Sequence, residues 1–354
     1  MTQYNTLSDL FAGVAESIRE KEGSTALINP QDFPQRIKDL QIGGGGESSE
    51  IPVIGDGKTY LYIDIPHRNL RTVTLYFNQT KANGVTVNMG DGSSYTASST
   101  GNCSVTHTYS NTGNYVISFN PASDCTLSLG WGASSSCVMG PTGNNYMGNS
   151  SILVGAEIGT HKEVLSSYTF NYCTALKFVY IHDGITSFIR DVFAYCYSLE
   201  EVRLPETLVE IMQYAFQHCY SLKKVVIPNS VEATSSNLFY YCGALKTIII
   251  GEKFRACQSY FLGYARAISA LYCPPSVTSV NSYAFYNASS LRLLDFSDHT
   301  AVPSLVNTSA FTNVASDCKI IVPDDLYDAW IAKTNWSSHS SKIVKKSVWD
   351  AENT

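Results

Sequence analysis

The apolar positions of this chain change rhythm twice. Over residues 1–42 they recur at helical spacing, with Leu7, Leu10, Phe11, Val14, Ala15 and Ile18 on one face and Ser8 or Asp9 placed to start the helix. Gly23-Ser24 ends that segment, and Phe33, Ile37 and Leu40 predict a second short helix with Pro34 in its first turn. Stripes this short do not hold an isolated helix, so they pack on each other, on a copy or on a partner. Gly43–Gly46, followed by Glu47, Ser48 and Ser49, reads as a flexible linker over 43–50. From 51 to 120 the pattern becomes β-rich. Thr72–Phe77, Val85–Met89, Val105–Tyr109 and Tyr115–Phe119 predict strands, with Gly90-Asp91-Gly92-Ser93 as a tight turn. Residues 121–146 are rich in Ser, Gly and Asn and read as a connecting edge.

From 147 onward the rhythm is fixed. Phe170…Cys173…Leu176…Val179…Ile181 returns 23 residues later as Phe193…Cys196…Leu199…Val202…Leu204. It recurs as Phe216…Cys219…Leu222…Val225…Ile227 and as Phe239…Cys242…Leu245…Ile248…Ile250. A period of this length predicts a solenoid, because one repeat cannot bury its apolar face alone while a stack can. Extended backward, the register puts Met147 and Ser150 at the Phe and Cys places and Leu153, Ala156 and Ile158 after them. Extended forward, it gives Phe261…Tyr264…Ala267, Phe285…Ala288…Leu291…Leu294…Phe296 and Phe311…Val314…Ile320…Val322, with Phe spacings of 24 and 26. About eight turns result over 147–323. Residues 324–354 predict a cap, in which Asp324 starts a short helix and Leu326, Trp330 and Ile331 cover the last turn.

Composition narrows the function classes. At 354 residues the chain predicts two or three domains. A formal charge of −6 gives no footprint for nucleic acid or for an anionic membrane surface. No run of 18 apolar residues occurs, so no membrane insertion is expected. The first residues show neither a basic n-region nor an apolar h-region. That predicts synthesis and folding in the cytosol, with the ten cysteines as free thiols.

Three stretches resemble known families. Tyr214-Ala215-Phe216-Gln217-His218-Cys219 through Val225-Val226-Ile227-Pro228 resembles the BspA-type leucine-rich repeat, whose pattern runs Ala-Phe-x-x-Cys-x-x-Leu-x-x-Val-x-Ile-Pro, and the likeness spans roughly 150–335. Asn88-Met89-Gly90-Asp91-Gly92-Ser93, His107-Thr108-Tyr109 and Gly113-Asn114-Tyr115 resemble the PKD-type immunoglobulin-like domain, although Val87 and Asn88 stand near the places of its Trp and first Asp. The stretch from Leu10-Phe11 through Ile18-Arg19-Glu20-Lys21 to Asp32-Phe33-Pro34 and Ile37 resembles a leader of phage tail, fibre and other virion proteins. Together these imply a mainly β fold: a short helical N-terminus, an Ig-like sandwich over 51–120, a leucine-rich-repeat solenoid and a C-terminal capping helix.

The repeat residues offer little chemistry. In such a repeat the named strand residues point inward, so Cys173, Cys196, Cys219 and Cys242 form a buried column. Four thiolates on one zinc need sulfurs within about 4 Å, whereas four strands span roughly 14 Å. Neighbouring disulfides fit the strand spacing, yet Ser150 and Ala288 fill the same register, so packing sets the position. Cys103, Cys125, Cys137, Cys257, Cys273 and Cys318 show no metal spacing. His182-Asp183 reads as a turn, His107 as a residue serving the sandwich, and Asp56, Asp91 and Asp183 as turn residues before glycine. No nucleophile–base arrangement occurs, so no catalytic residue, metal or cofactor is expected.

The surface is more informative. Tyr172, Tyr195, His218 and Tyr241 precede the column cysteines, and Tyr197 and Tyr220 follow two of them. Such rings either form a platform for sugar or protein or shield the backbone of the turn. On the sheet face Phe178/Tyr180, Glu201/Arg203, Lys224/Val226 and Thr247/Ile249 should point outward, as a contact patch with Phe178 and Tyr180 as ligand-binding candidates or as an ordinary mixed surface. The expected function is a non-enzymatic virion protein (tail fibre, baseplate or other decoration), assembled in the host cytoplasm in multiple copies, as a homo-oligomer or otherwise. Leu10, Phe11, Val14, Ile18, Phe33 and Ile37 in residues 1–42 would attach it to other virion proteins, while the repeats contact a host protein or glycan. The alternative is a bacterial cell-surface adhesin. A glycan-cleaving enzyme would need a spaced carboxylate pair, which the adjacent Glu200-Glu201 and Asp324-Asp325 do not provide.

Overall fold

A computed structural model describes residues 55–130, 137–139, 149–159 and 164–353. The expected helices and linker of 1–50, and Met147, lie outside these residues.

The first strands are β1 (Thr59–Ile65), β2 (Thr72–Gln79), β3 (Val85–Asn88), β4 (Ser94–Thr96), β5 (Gly101–Thr108), β6 (Gly113–Pro121) and β7 (Leu127–Leu129). They form antiparallel ladders in two sheets, β5-β2-β7 and β1-β6-β3-β4. Alternation explains the pairing of their inner faces. Leu61, Ile63 and Ile65 of β1 and Val73, Leu75 and Phe77 of β2 are buried. Phe77 meets Phe119 of β6 edge-on at 5.7 Å. Strand β7 falls in the stretch read as a connecting edge; its Leu127 and Leu129 are buried and complete the smaller sheet.

The turn at Gly90-Asp91-Gly92 is held by its neighbours. Gly90 adopts φ +84°, and a Cβ there would stand 2.6 Å from the Val116 carbonyl oxygen, so only glycine fits without shifting backbone. Asp91 accepts from the Ser93 N–H at 3.0 Å and pairs with His107 Nε2 at 2.8 Å. His107 Nδ1 lies 2.9 Å from the Tyr95 hydroxyl, and Tyr109 donates to the Met89 carbonyl at 2.8 Å. Partial burial raises the Asp91 pKa, but the bonds from Ser93 and His107 outweigh it and hold the group below the usual carboxylate range. A depressed folded-state pKa contributes stability that is complete above the unfolded value of about 4. That stability is lost as pH falls through the folded value. Asp91→Asn should therefore lower the urea midpoint at pH 7, and the gap to wild type should close as pH falls below about 4. A gap unchanged by acid would refute this role.

The solenoid begins at β8 (Leu153–Ile158) and then alternates between two parallel faces. Strands β9 (Val164–Leu165), β11 (Ser187–Phe188), β13 (Glu210–Ile211), β15 (Ala233–Thr234), β17 (Ala256–Cys257), β19 (Ser279–Val280) and β21 (Ser304–Leu305) make one face. The other takes β10 (Phe178–Ile181), β12 (Glu201–Arg203), β14 (Lys224–Val226), β16 (Thr247–Ile249), β18 (Ala270–Tyr272), β20 (Leu293–Asp295), β22 (Lys319–Val322) and β23 (Ile343–Lys345). The two halves share a sheet. Strand β1 pairs antiparallel with β6 on one side and with β8 on the other, giving the nine-strand order β16-β14-β12-β10-β8-β1-β6-β3-β4. The sheet β1-β6-β3-β4 thus continues the β8 face of the repeat stack, while β9 ends the other face.

Register is set by the buried columns. Phe170, Phe193, Phe216 and Phe239 stack face to face, with centroids 5.3, 5.4 and 5.5 Å apart. The thiols of Cys196, Cys219 and Cys242 donate to the carbonyls of Phe170, Phe193 and Phe216 at 3.1–3.2 Å. Cys196, Cys219 and Cys242 are therefore small buried donors that tie each turn to the one before it.

The forward register differs from the sequence reading. Strand β18 pairs Leu271 with Leu294, so Leu262, Ala265, Ile268, Leu271 and Cys273 continue the 23-residue period without drift. Phe261 stands one place earlier and meets Phe239 edge-on instead of stacking. Only the step to Phe311 is longer, with Leu294 opposite Ile320.

The C-terminal end is covered by Trp330 of helix α1 (Tyr327–Ala332) and by Trp336, both fully buried. Leu326 and Ile331 pack against the same cluster half-buried. Asp324 does not cap α1. Its carboxylate accepts from the backbone N–H and hydroxyl of Ser347 at the start of helix α2 (Lys346–Glu352), so it joins the two ends of the cap.

Candidate functional site

Each turn bends twice through the left-handed region. Tyr168, Asp191, Tyr214, Asn237, Tyr260 and Tyr283 form one column of positive φ, and Tyr172, Tyr195, His218, Tyr241, Tyr264 and Asn287 form the other. A bulky residue there costs about 1–2 kcal/mol. Two arrangements offset that cost. Tyr172, Tyr195, His218, Tyr241 and Tyr264 donate their backbone N–H groups to carbonyls of the following turn at 2.7–2.9 Å. Their rings also stack in one column, with centroids 4.2–4.7 Å apart and planes within 12°. Each such pair is worth roughly 0.5–1.5 kcal/mol beyond burial. The column shields the turn and forms a ridge at once.

The ridge widens toward the later turns. Tyr240 sits edge-on to Tyr241, Tyr260 and Tyr264, and Tyr260 stacks on Tyr283 at 5.1 Å. Tyr286 meets Tyr260, Tyr264 and Tyr283 edge-on. Tyr240, Tyr260, Tyr283 and Tyr286 were not singled out in the sequence, and Tyr264 was placed there at the cysteine position, which Ala265 fills. In the corrected register Tyr264 follows Tyr241 by 23 residues, and that spacing is the signal that finds it.

Hydrogen bonding and burial keep Tyr172, Tyr220, Tyr240, Tyr241 and Tyr260 uncharged. Burial raises the phenol pKa of Tyr172, Tyr220 and Tyr260 and takes Tyr240 to about 12. For Tyr241 the hydrogen bond with Tyr264 leads and burial follows. Burial also lowers the His218 pKa, and its Nδ1 lies 2.8 Å from the Tyr220 hydroxyl. These side chains therefore offer neutral donors and acceptors.

Ring faces are less available than ring edges. In the inner column the rings of Tyr195, His218 and Tyr241 are covered on both faces by their neighbours. The outer column is different: Tyr197 and Tyr220 stack at 5.3 Å, and both are exposed, Tyr220 by 46%. One period beyond Tyr220 stands Gly243, where an added Cβ would meet nothing within 4 Å. The far face of Tyr220 thus borders a step in the ridge with no side chain on it. Arg266 follows one period later, its guanidinium 5.5 Å from the Tyr264 ring centroid.

On the sheet face the expected outward pairs keep their register, with Phe178 opposite Glu201, Tyr180 opposite Arg203 and Lys224 opposite Thr247. Two of them are engaged. The Phe178 ring lies across Gly155, where a Cβ would stand 2.0 Å from it, and reaches Tyr62 of β1 at 5.4 Å. Arg203 covers the Tyr180 ring at 4.8 Å. Ile249, expected outward, is buried. His182, expected as a plain turn residue, sits 2.6 Å from the fully buried Glu157, which also accepts from the Gly55 N–H at 2.8 Å. The ridge and the sheet-face residues are thus separate places on the repeats. The attachment residues Leu10, Phe11, Val14, Ile18, Phe33 and Ile37 lie outside the described residues. Among the described residues no group of His, Cys, Asp and Glu is arranged to hold a metal ion.

The family model for the BspA type leucine rich repeat region matches residues 163–292, in six copies. This stretch is a BspA-type leucine-rich repeat region. Several solved structures are similar to the chain, three of them as follows. A leucine rich repeat protein of T. pallidum matches at 18% identity and TM-score 0.39, covering 50% of this chain and 81% of that one. A leucine-rich repeat protein from Bacteroides ovatus matches at 16% identity and TM-score 0.37, covering 49% and 54%. The pneumococcal vaccine antigen PcpA matches at 19% identity and TM-score 0.36, covering 54% and 40%. The chain therefore spans about half or less of the latter two. A search of curated proteins gives no match. The ridge from Tyr172 to Tyr286 lies wholly within the BspA-type region.

Proposed function

We propose that this is a non-enzymatic binding protein of a bacteriophage particle, whose BspA-type region presents its aromatic ridge to a host-surface protein or glycan. The observation that carries the binding role is the neutral tyrosine ridge, with the far face of Tyr220 bordering the open step at Gly243. A flat ring seated there stacks on tyrosine and finds hydroxyl donors beside it. The particle assignment rests on residues 10–37, whose pattern resembles a virion leader. On this reading residues 1–42 dock to other virion proteins, an Ig-like domain of PKD type serves as spacer, and many copies raise a weak single-site affinity.

The second reading, a bacterial cell-surface adhesin, is supported by the repeat type, which is common on bacterial surface proteins. Deleting residues 1–42 separates the two. Loss of incorporation into purified particles is expected, whereas retained display on a bacterial envelope would favour the adhesin.

Gly243→Tyr tests the ridge. It extends the outer column into open space, so an unchanged melting temperature is expected. Covering the Tyr220 face should weaken binding of the purified chain to host cells by roughly 2- to 10-fold per site. Tyr220→Ala should do the same. Undiminished binding by both variants would rule out this face.

A further inference from the structure

We propose that Cys137 and Cys173 form a disulfide when the protein meets a low-molecular-weight disulfide such as oxidised glutathione, locking the sandwich to the first full repeat. Their sulfurs already stand 3.2 Å apart. Both sides of the pair are held by backbone bonds. Next to Cys137, Val138 donates its N–H to the Thr169 carbonyl at 2.8 Å, and its own carbonyl accepts from Tyr76 N–H of β2 at 2.9 Å. Met139 makes a further bridge to Leu75 of β2. Cys173 is fixed in its turn by the bond from its N–H to the Phe170 carbonyl. The segment 137–139 therefore touches both halves of the molecule, and the bond would tie it covalently to the repeats.

Selectivity follows from exposure and from competing partners. Of the ten cysteines, Cys137 alone is not buried. The later column thiols of Cys196, Cys219 and Cys242 are engaged with carbonyls, whereas Cys173 meets a thiol. A second thiol pair, Cys257 and Cys273, is fully buried, so a soluble oxidant does not reach it. The hydrogen bond from Cys173 draws the Cys137 thiol below its usual pKa, while burial pushes Cys173 far up. Cys137 is thus the attacking group.

In the balanced exchange the Cys137 thiolate attacks one glutathione sulfur and releases a glutathione thiolate. The Cys173 sulfur then displaces the second glutathione, and the Cys173 proton passes to that leaving sulfur. Two protein thiols are oxidised and one small disulfide is reduced to two thiols. In a reducing cytosol the pair stays open; outside the cell it closes.

The full chain, purified under reducing conditions, is incubated with oxidised glutathione, quenched with an alkylating agent in denaturant, and analysed by intact mass and peptide mapping. Two of the ten thiols should become unreactive, with loss of the mass of two hydrogens and one cross-linked peptide joining Cys137 to Cys173. Cys137→Ser should keep all its remaining thiols reactive. Cys173→Ser should stop at a glutathione adduct on Cys137. If that variant does not fold, wild type and Cys137→Ser decide alone. Retention of all ten thiols, a cross-link elsewhere, or a wild-type chain that stops at the glutathione adduct would overturn the proposal.

Discussion

Replacing Phe216 with alanine is expected to destabilise the BspA-type region by about 3–5 kcal/mol, the usual cost of removing a fully buried ring from a packed core. The ring is sandwiched between Phe193 and Phe239 and also meets Phe188 edge-on, so both of its turn-to-turn interfaces lose contact together. A solenoid couples mainly nearest neighbours, so amide exchange should accelerate most in the turns around 193–242 and least in β2–β7. Phe216→Leu should recover most of the loss, because Leu262 fills the same column two periods later. Urea denaturation of both variants checks this. An alanine variant as stable as wild type would mean that the stacked column does not hold the turns together.

Trp336→Ala should cost a similar amount, about 3–5 kcal/mol, but with a different spread. Trp336 is fully buried against Phe296, Phe311 and Trp330, and its indole N–H donates to the Pro303 carbonyl at 2.8 Å. Truncation opens a cavity and leaves that carbonyl without its donor. Because the loss falls on the last turns, fraying should start at β22 and β23 while β10–β16 keep their protection. Limited proteolysis provides the readout: early cuts should appear beyond residue 300 in the variant. Cuts distributed evenly over the repeats would show that the cap is not a local element.

The repeat architecture was legible because its buried residues recur at one spacing and burial is what the pattern encodes. The misplaced turn shows the limit. Phe261 offered a large ring one place before Leu262, and side-chain size alone favoured the ring; hydrogen-bonded register between β18 and β20 decides for Leu262. The left-handed backbone of Tyr172, Tyr195 and Tyr241 was not legible either. Positive φ ordinarily marks glycine or asparagine, and here the bend is held by bonds to the next turn, which no single repeat reveals. The aromatic positions Tyr195, Tyr197 and Tyr220 were found from their spacing, yet the covered and open ring faces emerge only once Gly243 is placed beside Tyr220. Strand β1 was missed although Leu61, Ile63 and Ile65 alternate with Tyr60 and Tyr62, because nothing local says that it joins two sheets.

That shared strand has a mechanical consequence. Tension applied along the axis of β1 acts on a strand flanked by β6 on one side and β8 on the other. A pull along that axis would load the rungs on both flanks together, in shear, rather than peel them one at a time. Such a load would fall on the place where the two halves of the molecule meet.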